Sequence, residues 1–146
     1  MYPGRLDDKG RVKLAAKLQQ YVAALPEKTL FVTSLDRHIA QIYPISVWRA
    51  NEKFFGQCRG EDARIARNVS FNAADLGAEA EMDSQGRILF SPELRRELGL
   101  EDQTLHLYAY RGRIEVLGEK LYERRKHEAA QTAEDDVSRL ESEGLE

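Results

Sequence analysis

Leu6-Asp7-Asp8-Lys9-Gly10-Arg11-Val12-Lys13-Leu14 is a nine-residue stretch that returns 76 positions later as Met82-Asp83-Ser84-Gln85-Gly86-Arg87-Ile88-Leu89-Phe90. Each copy begins with an apolar residue and an Asp, passes through two polar residues to Gly-Arg, and then has apolar residues at alternate positions. With small gaps the match continues: Thr29-Leu30-Phe31-Val32 aligns with Thr104-Leu105-His106-Leu107, and Trp48 with Tyr122. Similarity over about 40 residues per copy indicates that one small unit was duplicated within the chain.

The Asp-x-x-Gly segment of each copy predicts a tight turn between two strands. The side chains of Asp7 and Asp83 can accept hydrogen bonds from the backbone ahead of them. Gly10 and Gly86 can supply the positive φ that such a turn requires. We therefore predict that these four residues form the structural motif of the protein, and that the arginine after each glycine begins the returning strand.

A short helix and two further strands are predicted after each turn. Ser91-Pro92-Glu93 is typical of a helix start and Gly99 of a helix end, and an equivalent helix with weaker caps is expected over about residues 15–24. The strands are predicted over about residues 30–34 and 39–43 in the first copy, and 104–110 and 113–117 in the second. Each unit is thus expected to be β–turn–β–α–β–β, within an α+β fold.

The small size of the unit predicts that the two copies share a core. About 45 residues cannot bury enough apolar surface alone, so we expect the copies to pack on each other as a pseudo-dimer. The joint core is expected to use Leu14, Leu18, Leu30, Val32, Ile42 and their equivalents in the second copy.

We divide the chain into a first repeat over residues 1–52, a helical connector over 53–76, a second repeat over 77–122 and a charged helical tail over 123–146. Ser46 is a candidate cap for a helix over 47–55, residues 56–60 resemble a loop, and 62–67 a second short helix. In the tail, Val137 and Leu140 are too sparse to form a core stripe, so we expect a solvated helix that frays.

Composition excludes several classes of protein. The chain of 146 residues has no apolar run near the roughly 20 residues of a membrane span, and its N-terminus lacks the apolar stretch of a signal peptide. The single cysteine, Cys58, excludes an internal disulfide framework and a multi-cysteine zinc site. No phosphate-binding loop or nucleophile elbow is present, and no His pair has helical ligand spacing. We therefore expect a cytoplasmic protein without enzyme activity, cofactor, metal, small-molecule ligand or membrane partner.

Charge is distributed unevenly along the chain. The net charge is −3, but residues 119–146 alone carry nine acidic and five basic side chains. The first 17 residues have a net charge of +3, from Arg5, Lys9, Arg11, Lys13 and Lys17 against Asp7 and Asp8. Such a basic tip can meet a phosphate backbone, although short solvated basic segments also occur on proteins that never bind DNA.

The doubled motif resembles that of the MraZ family of bacterial transcriptional regulators. The family's mark is a pair of Asp-x-x-x-Arg motifs, which stand here as Asp7-Asp8-Lys9-Gly10-Arg11 and Asp83-Ser84-Gln85-Gly86-Arg87. Further matches are Gly4, Tyr43-Pro44 followed by Trp48, Arg67 before Phe71, and Pro92-x-Leu94-Arg95. The sequence departs from the pattern in the first copy, which has Ala16 and Gln19 where the second has Pro92 and Arg95.

This resemblance implies a fold and a function. The implied fold consists of duplicated swapped-hairpin units of the AbrB/SpoVT type, which form a pseudo-dimeric β-barrel. The implied protein is a nucleoid-associated repressor of the division and cell-wall gene cluster. It would form ring-like homo-oligomers and bind short direct repeats in double-stranded DNA upstream of its own operon.

The expected DNA-binding residues are Arg5, Lys9, Arg11, Lys13 and Arg87. An arginine suits base reading because its planar fork can meet two guanine acceptors in the major groove. Arg11 and Arg87 could instead simply pair with the turn aspartates, and Arg87, with no lysine beside it in sequence, could equally hold structure or contact a subunit. An oligomeric protein-interaction scaffold without specific DNA binding is the alternative function, and a hydrolase using the clustered acids is a third.

Overall fold

The computed structural model describes residues 1–146 and shows an α+β protein with eight strands and six helices. The first half contains β1 (Tyr2–Gly4), β2 (Arg11–Lys13), α1 (Ala16–Ala23), β3 (Thr29–Thr33), β4 (Ala40–Pro44), α2 (Ile45–Gln57) and α3 (Glu61–Leu76). The second half contains β5 (Ala78–Glu81), β6 (Arg87–Leu89), α4 (Pro92–Leu98), β7 (Leu105–Tyr110), β8 (Arg113–Leu117), α5 (Glu119–Gln131) and α6 (Ala133–Glu143). The two halves therefore have the same order of elements.

The two halves exchange strands. Six antiparallel strands form one sheet in the order β1-β7-β8-β4-β3-β5, so the first strand of each half pairs with a strand of the other half. The remaining strands, β2 and β6, pair only with each other in a two-stranded ribbon. The six-stranded sheet is open, because its edge strands β1 and β5 are not hydrogen-bonded to each other.

The turns are bonded across the halves as well. Gly10 and Gly86 have φ values of 81° and 77°. The carbonyl oxygen of Gly10 accepts the backbone N–H of Phe90 at 2.9 Å, and that of Gly86 accepts the N–H of Leu14 at 2.9 Å. The flanking segments do not form a regular hairpin within their own copy, since only an isolated Leu6–Val12 bridge joins them in the first half. Each turn is thus anchored to the strand end of the other copy.

One core joins the two halves. It contains 18 buried residues, among them Val12 and Ile88, which face each other across the ribbon and are fully buried. The predicted core residues of the first copy, and their second-copy equivalents, belong to it: Leu14, Leu18, Leu30, Val32, Ile42, Phe90, Leu94, Leu105, Leu107 and Val116. The prediction of a shared core is confirmed. Its physical basis is the alternation of apolar residues, which directs one face of each strand inward.

The short helices begin and end close to the predicted positions. In α4, the Ser91 hydroxyl accepts the backbone N–H of Leu94 at 3.2 Å, and Gly99 ends the helix with a φ of 62°. Helix α1 has no side-chain cap, consistent with the weaker caps expected from its sequence. None of the six helices combines the length and apolar character that a membrane span requires.

The region between the repeats differs from its prediction. The N-cap of α2 is Pro44, so the expectation that Ser46 caps this helix is wrong. Helix α3 extends over 16 residues, rather than over 62–67, and the loop before it is limited to residues 58–60. Tertiary contacts explain its length: the Thr33 hydroxyl donates to the carbonyl of Ala73 at 2.8 Å, and Leu76 is buried in the shared core.

A pair of helices, α5 and α6, follows the strands of the second half as α2 and α3 follow those of the first. Helix α2 places Trp48 in a stack on Phe31, with ring centroids 4.6 Å apart. Helix α5 places Tyr122, which aligns with Trp48, against His106, which aligns with Phe31. Their ring centroids are 3.6 Å apart. Helices α5 and α6 thus correspond to α2 and α3, which extends the duplication beyond the segment visible in the sequence. The domain boundaries at 52, 76 and 122 stay a prediction.

We expect Ile88→Ala to lower the free energy of unfolding by ~2–5 kcal/mol, because it leaves a cavity in the shared core. Chemical denaturation followed by the fluorescence of Trp48 measures this effect from the other half of the chain. Leu89→Ala is the matched control, since Leu89 is the next residue and is 53% exposed. If the denaturant concentration at the midpoint of the Trp48 fluorescence change is the same in the Ile88 variant as in the wild-type protein, the two halves unfold independently.

Candidate nucleic-acid interface

The ribbon formed by β2 and β6 brings together basic residues that are 74 or more positions apart in sequence. In its register, Lys13 lies directly opposite Arg87, and Arg11 lies opposite Leu89. Val12 and its partner on β6 point into the core, so by strand alternation these four residues lie on the outer face. We call Lys9, Arg11, Lys13 and Arg87, from the first turn and the ribbon, the basic ribbon.

The first turn is locked by its own aspartate. One carboxylate oxygen of Asp7 accepts the backbone N–H groups of Lys9 and Arg11, at 3.0 and 2.9 Å. The other accepts the Nε–H of Arg11 at 2.9 Å, so the side-chain pairing considered from the sequence is present. The two terminal nitrogens of that guanidinium make no hydrogen bond within the protein. The aspartate therefore orients the arginine and leaves the outer part of its fork free.

The second turn repeats this geometry. Asp83 accepts the backbone N–H groups of Gln85 and Arg87, each at 2.9 Å, and the Nε–H of Arg87 at 2.8 Å. In each turn, the backbone N–H of the arginine is the largest cause that holds the pKa of the aspartate below its ordinary value of 3.8, against a smaller opposing effect of burial. Both carboxylates are thus stabilised in the charged form.

The predicted lysines have free ammonium groups. Lys9 and Lys13 are exposed, and neither makes an ion pair. Arg5 is also exposed but precedes the bridging Leu6, outside the ribbon. Asp8 is the remaining acidic residue of the first turn, and its side chain makes no hydrogen bond. The first turn therefore contributes more unpaired positive charge than the second, which has Ser84 and Gln85 at the matching positions.

Sequence reasoning missed Arg95 as a neighbour of the first turn. Its Nε–H donates to the carbonyl of Phe90 at 3.1 Å, and its Nη1 pairs with Glu101 at 3.0 Å. A Cβ built on Gly10 would lie 2.5 Å from the Arg95 Cζ, so a side chain here would displace that guanidinium and would also be strained by the positive φ. Gln19 lies against Gly86 in the same way. The sequence shows that Gln19 of the first copy aligns with Arg95 of the second. It does not show that each of these side chains packs against the turn of the other copy.

The aromatic side chains of α2 lie outside the basic ribbon. Trp48 is buried in a small cluster with Tyr43, Ile45 and Ala73, while Phe54 is exposed on α2. No group of three or more His, Cys, Asp or Glu side chains is arranged to hold a metal ion. The basic ribbon is therefore the feature that gathers most of the predicted site residues.

Comparison with known proteins gives a consistent set of relatives. A transcriptional regulator MraZ from Acidobacterium capsulatum is 28% identical over 141 residues, which cover 96% of this chain and 94% of that protein. Regulators of the same name from Anaeromyxobacter dehalogenans (strain 2CP-C) and Nitrosomonas europaea are 33% and 34% identical, over 70% and 68% of this chain and 77% and 67% of their own. No protein-family model matches the chain.

We expect Asp83→Asn to lower the free energy of unfolding at pH 7. The same substitution should make this free energy depend less on pH in the acidic range. Because the folded-state pKa of Asp83 is below 3.8, its stabilisation is complete above that value and is lost as the pH falls through the lower folded pKa. Urea unfolding between about pH 2 and pH 7 measures this. Asp8→Asn, which removes a carboxylate without hydrogen bonds, should leave the curve unchanged; equal effects of the two substitutions would contradict the assignment.

Proposed function

The chain belongs to the MraZ family of transcriptional regulators, and from that premise we propose that it binds double-stranded DNA sequence-specifically through the basic ribbon. The observation that carries the proposal is the register that sets Lys13 of one repeat opposite Arg87 of the other. A two-stranded ribbon fits the major groove, where each base pair presents a distinct pattern of donors and acceptors.

The two kinds of cation have different proposed roles. Arg11 and Arg87 are each held at Nε by an aspartate, so their terminal nitrogens are presented in a fixed plane that suits the two acceptors of a guanine. Lys9 and Lys13 are exposed and flexible, which suits contact with phosphates. Arg5 lies outside the ribbon, and we assign it a phosphate contact at the edge of the interface.

We further propose that the repeats are duplicated swapped-hairpin units of the AbrB/SpoVT type. The exchange of strands between the halves supports this, and the sheet and ribbon around one core support a pseudo-dimeric barrel. The proposed biological role is that of a nucleoid-associated repressor of the division and cell-wall gene cluster, acting at short direct repeats upstream of its own operon.

Multivalent binding is part of the proposal. One basic ribbon carries few cations, so a single subunit should bind a single DNA repeat weakly. Several ribbons in a ring-like homo-oligomer, each on its own repeat, would gain affinity through high effective concentration. Direct repeats about 10 bp apart would present every site on the same face of the duplex.

Arg11→Ala is expected to weaken binding to the upstream repeats by ~1–3 kcal/mol and to relax specificity, because it removes a base contact. Lys13→Ala should weaken binding to all sequences alike and reduce the salt dependence. Titrations of folded protein at two or more salt concentrations distinguish these effects. Arg64→Ala, on the exposed surface of α3, is the control for loss of one positive charge. Unchanged affinity and specificity in the Arg11 variant would contradict the proposal.

The affinity for DNA should rise steeply with the number of direct repeats in the duplex. Light scattering should show an assembly larger than a dimer, and a duplex with one repeat should bind far more weakly than one with several. Displacing one repeat by about half a helical turn, ~5 bp, should remove most of the gain. A strictly monomeric protein that binds a single repeat with nanomolar affinity would contradict this prediction.

A further inference from the structure

Helix α6 has an apolar face that nothing in its own chain covers. Val137 and Leu140, one helical turn apart, are 46% and 54% exposed, and α6 buries no residue. Its side-chain hydrogen bonds and its ion pair are all made within the helix or to Thr132 at its start. Residues 132–146 carry six acidic side chains and one basic side chain. This is therefore an acidic amphipathic helix without a partner.

The first repeat shows what the equivalent helix does. Helix α3 folds back on α2, and its Ala73 completes a small core with Trp48, Tyr43 and Ile45. It also accepts the hydroxyl of Thr33 on the neighbouring strand. A helix in the position of α3 thus covers both the apolar side of the preceding helix and the adjoining strand.

The corresponding surface of the second repeat is open. Tyr122 and Ala129 of α5, which align with Trp48 and Phe55, line a cavity of about 320 Å³ with Tyr108, which aligns with Thr33. We call this space the α5 cavity. No residue of α5 is buried, in contrast to Trp48 of α2. The second repeat therefore has the surface that a helix like α3 would cover, but no helix on it.

The connection between the helices prevents α6 from covering this surface in its own chain. Three residues, 58–60, separate α2 from α3, whereas Thr132 alone separates α5 from α6. Antiparallel helices need a connection of about 2–5 residues to reverse the chain. With one residue, α6 does not fold back along α5, and its apolar face stays uncovered in its own chain.

The charges of the two surfaces are complementary. The rim of the α5 cavity carries Arg125 and Lys126, and the latter has no carboxylate partner. The first turn of α6 carries Glu134, Asp135 and Asp136. An acidic helix with an apolar face, such as α6, thus matches both the charge of this rim and the apolar lining of the cavity.

We propose that α6 of one copy docks in the α5 cavity of a second copy, in the position that α3 takes within the first repeat. Val137 and Leu140 would then lie against Tyr108 and Tyr122, with the acidic first turn beside Lys126. This inference rests on the self-assembly in the proposed function and deepens it, because it assigns the contact between subunits to a helix outside the DNA-binding ribbon.

Sedimentation velocity of the full chain without DNA tests the proposal. Leu140→Asp places a charge in the contact and should weaken self-association by about tenfold or more, shifting the protein toward its 16.7 kDa monomer. Ser142→Asp adds the same charge on the opposite side of α6 and should leave the assembly unchanged. Equal assembly in both variants, or equal loss in both, overturns the proposal.

Cross-linking identifies the partner surface directly. In a Cys58→Ser background, one chain carries Leu140→Cys, and a second chain, distinguished by a tag of different mass, carries Tyr122→Cys at the position against which Leu140 is proposed to lie. Mixing under oxidising conditions should give a disulfide-linked heterodimer, and Ser142→Cys in place of Leu140→Cys should not. No heterodimer, or an equal yield with Ser142→Cys, overturns the proposal. Both measurements omit DNA, so failure of the proposed DNA recognition would leave their outcome unaffected.

Discussion

The pairing of β2 with β6 is the interaction on which the rest of the structure depends. It places Val12 and Ile88 against each other at the centre of the shared core. The same pairing sets each turn glycine within hydrogen-bonding distance of the other copy's strand end. Neither half completes its core or satisfies its turn alone, so we expect the chain to unfold as one cooperative unit although it contains two repeats.

This pairing also creates the candidate DNA-binding surface. Strand alternation requires that burying Val12 expose its neighbours, so Arg11 and Lys13 face outward as a consequence of core formation. The aspartate of each turn then has two roles, since it closes the turn through backbone N–H groups and orients the arginine through Nε. The structural and functional interpretations of the Asp–Arg pair are therefore compatible, because the pairing leaves the terminal nitrogens free.

The duplication is symmetric in the backbone and asymmetric in chemistry. Both turns have the same hydrogen bonds, but lysines flank only the first, and Arg95 backs the first where Gln19 backs the second. A similar divergence separates the helix pairs: a three-residue loop lets α3 fold back, while Thr132 keeps α6 extended. Small local changes have thus given equivalent elements different surroundings.

The sequence by itself determined the repeat, the turns, the short helices and the composition of the core, because these follow from local turn chemistry and from alternating apolar residues. It did not determine which strands pair, since a hairpin within one copy and an exchange between copies satisfy the same pattern. The length of α3 was missed because contacts with Thr33 and with the shared core support it. Only the tertiary structure placed Lys13 opposite Arg87, since the register between segments more than 70 residues apart is decided by the core that both copies build together.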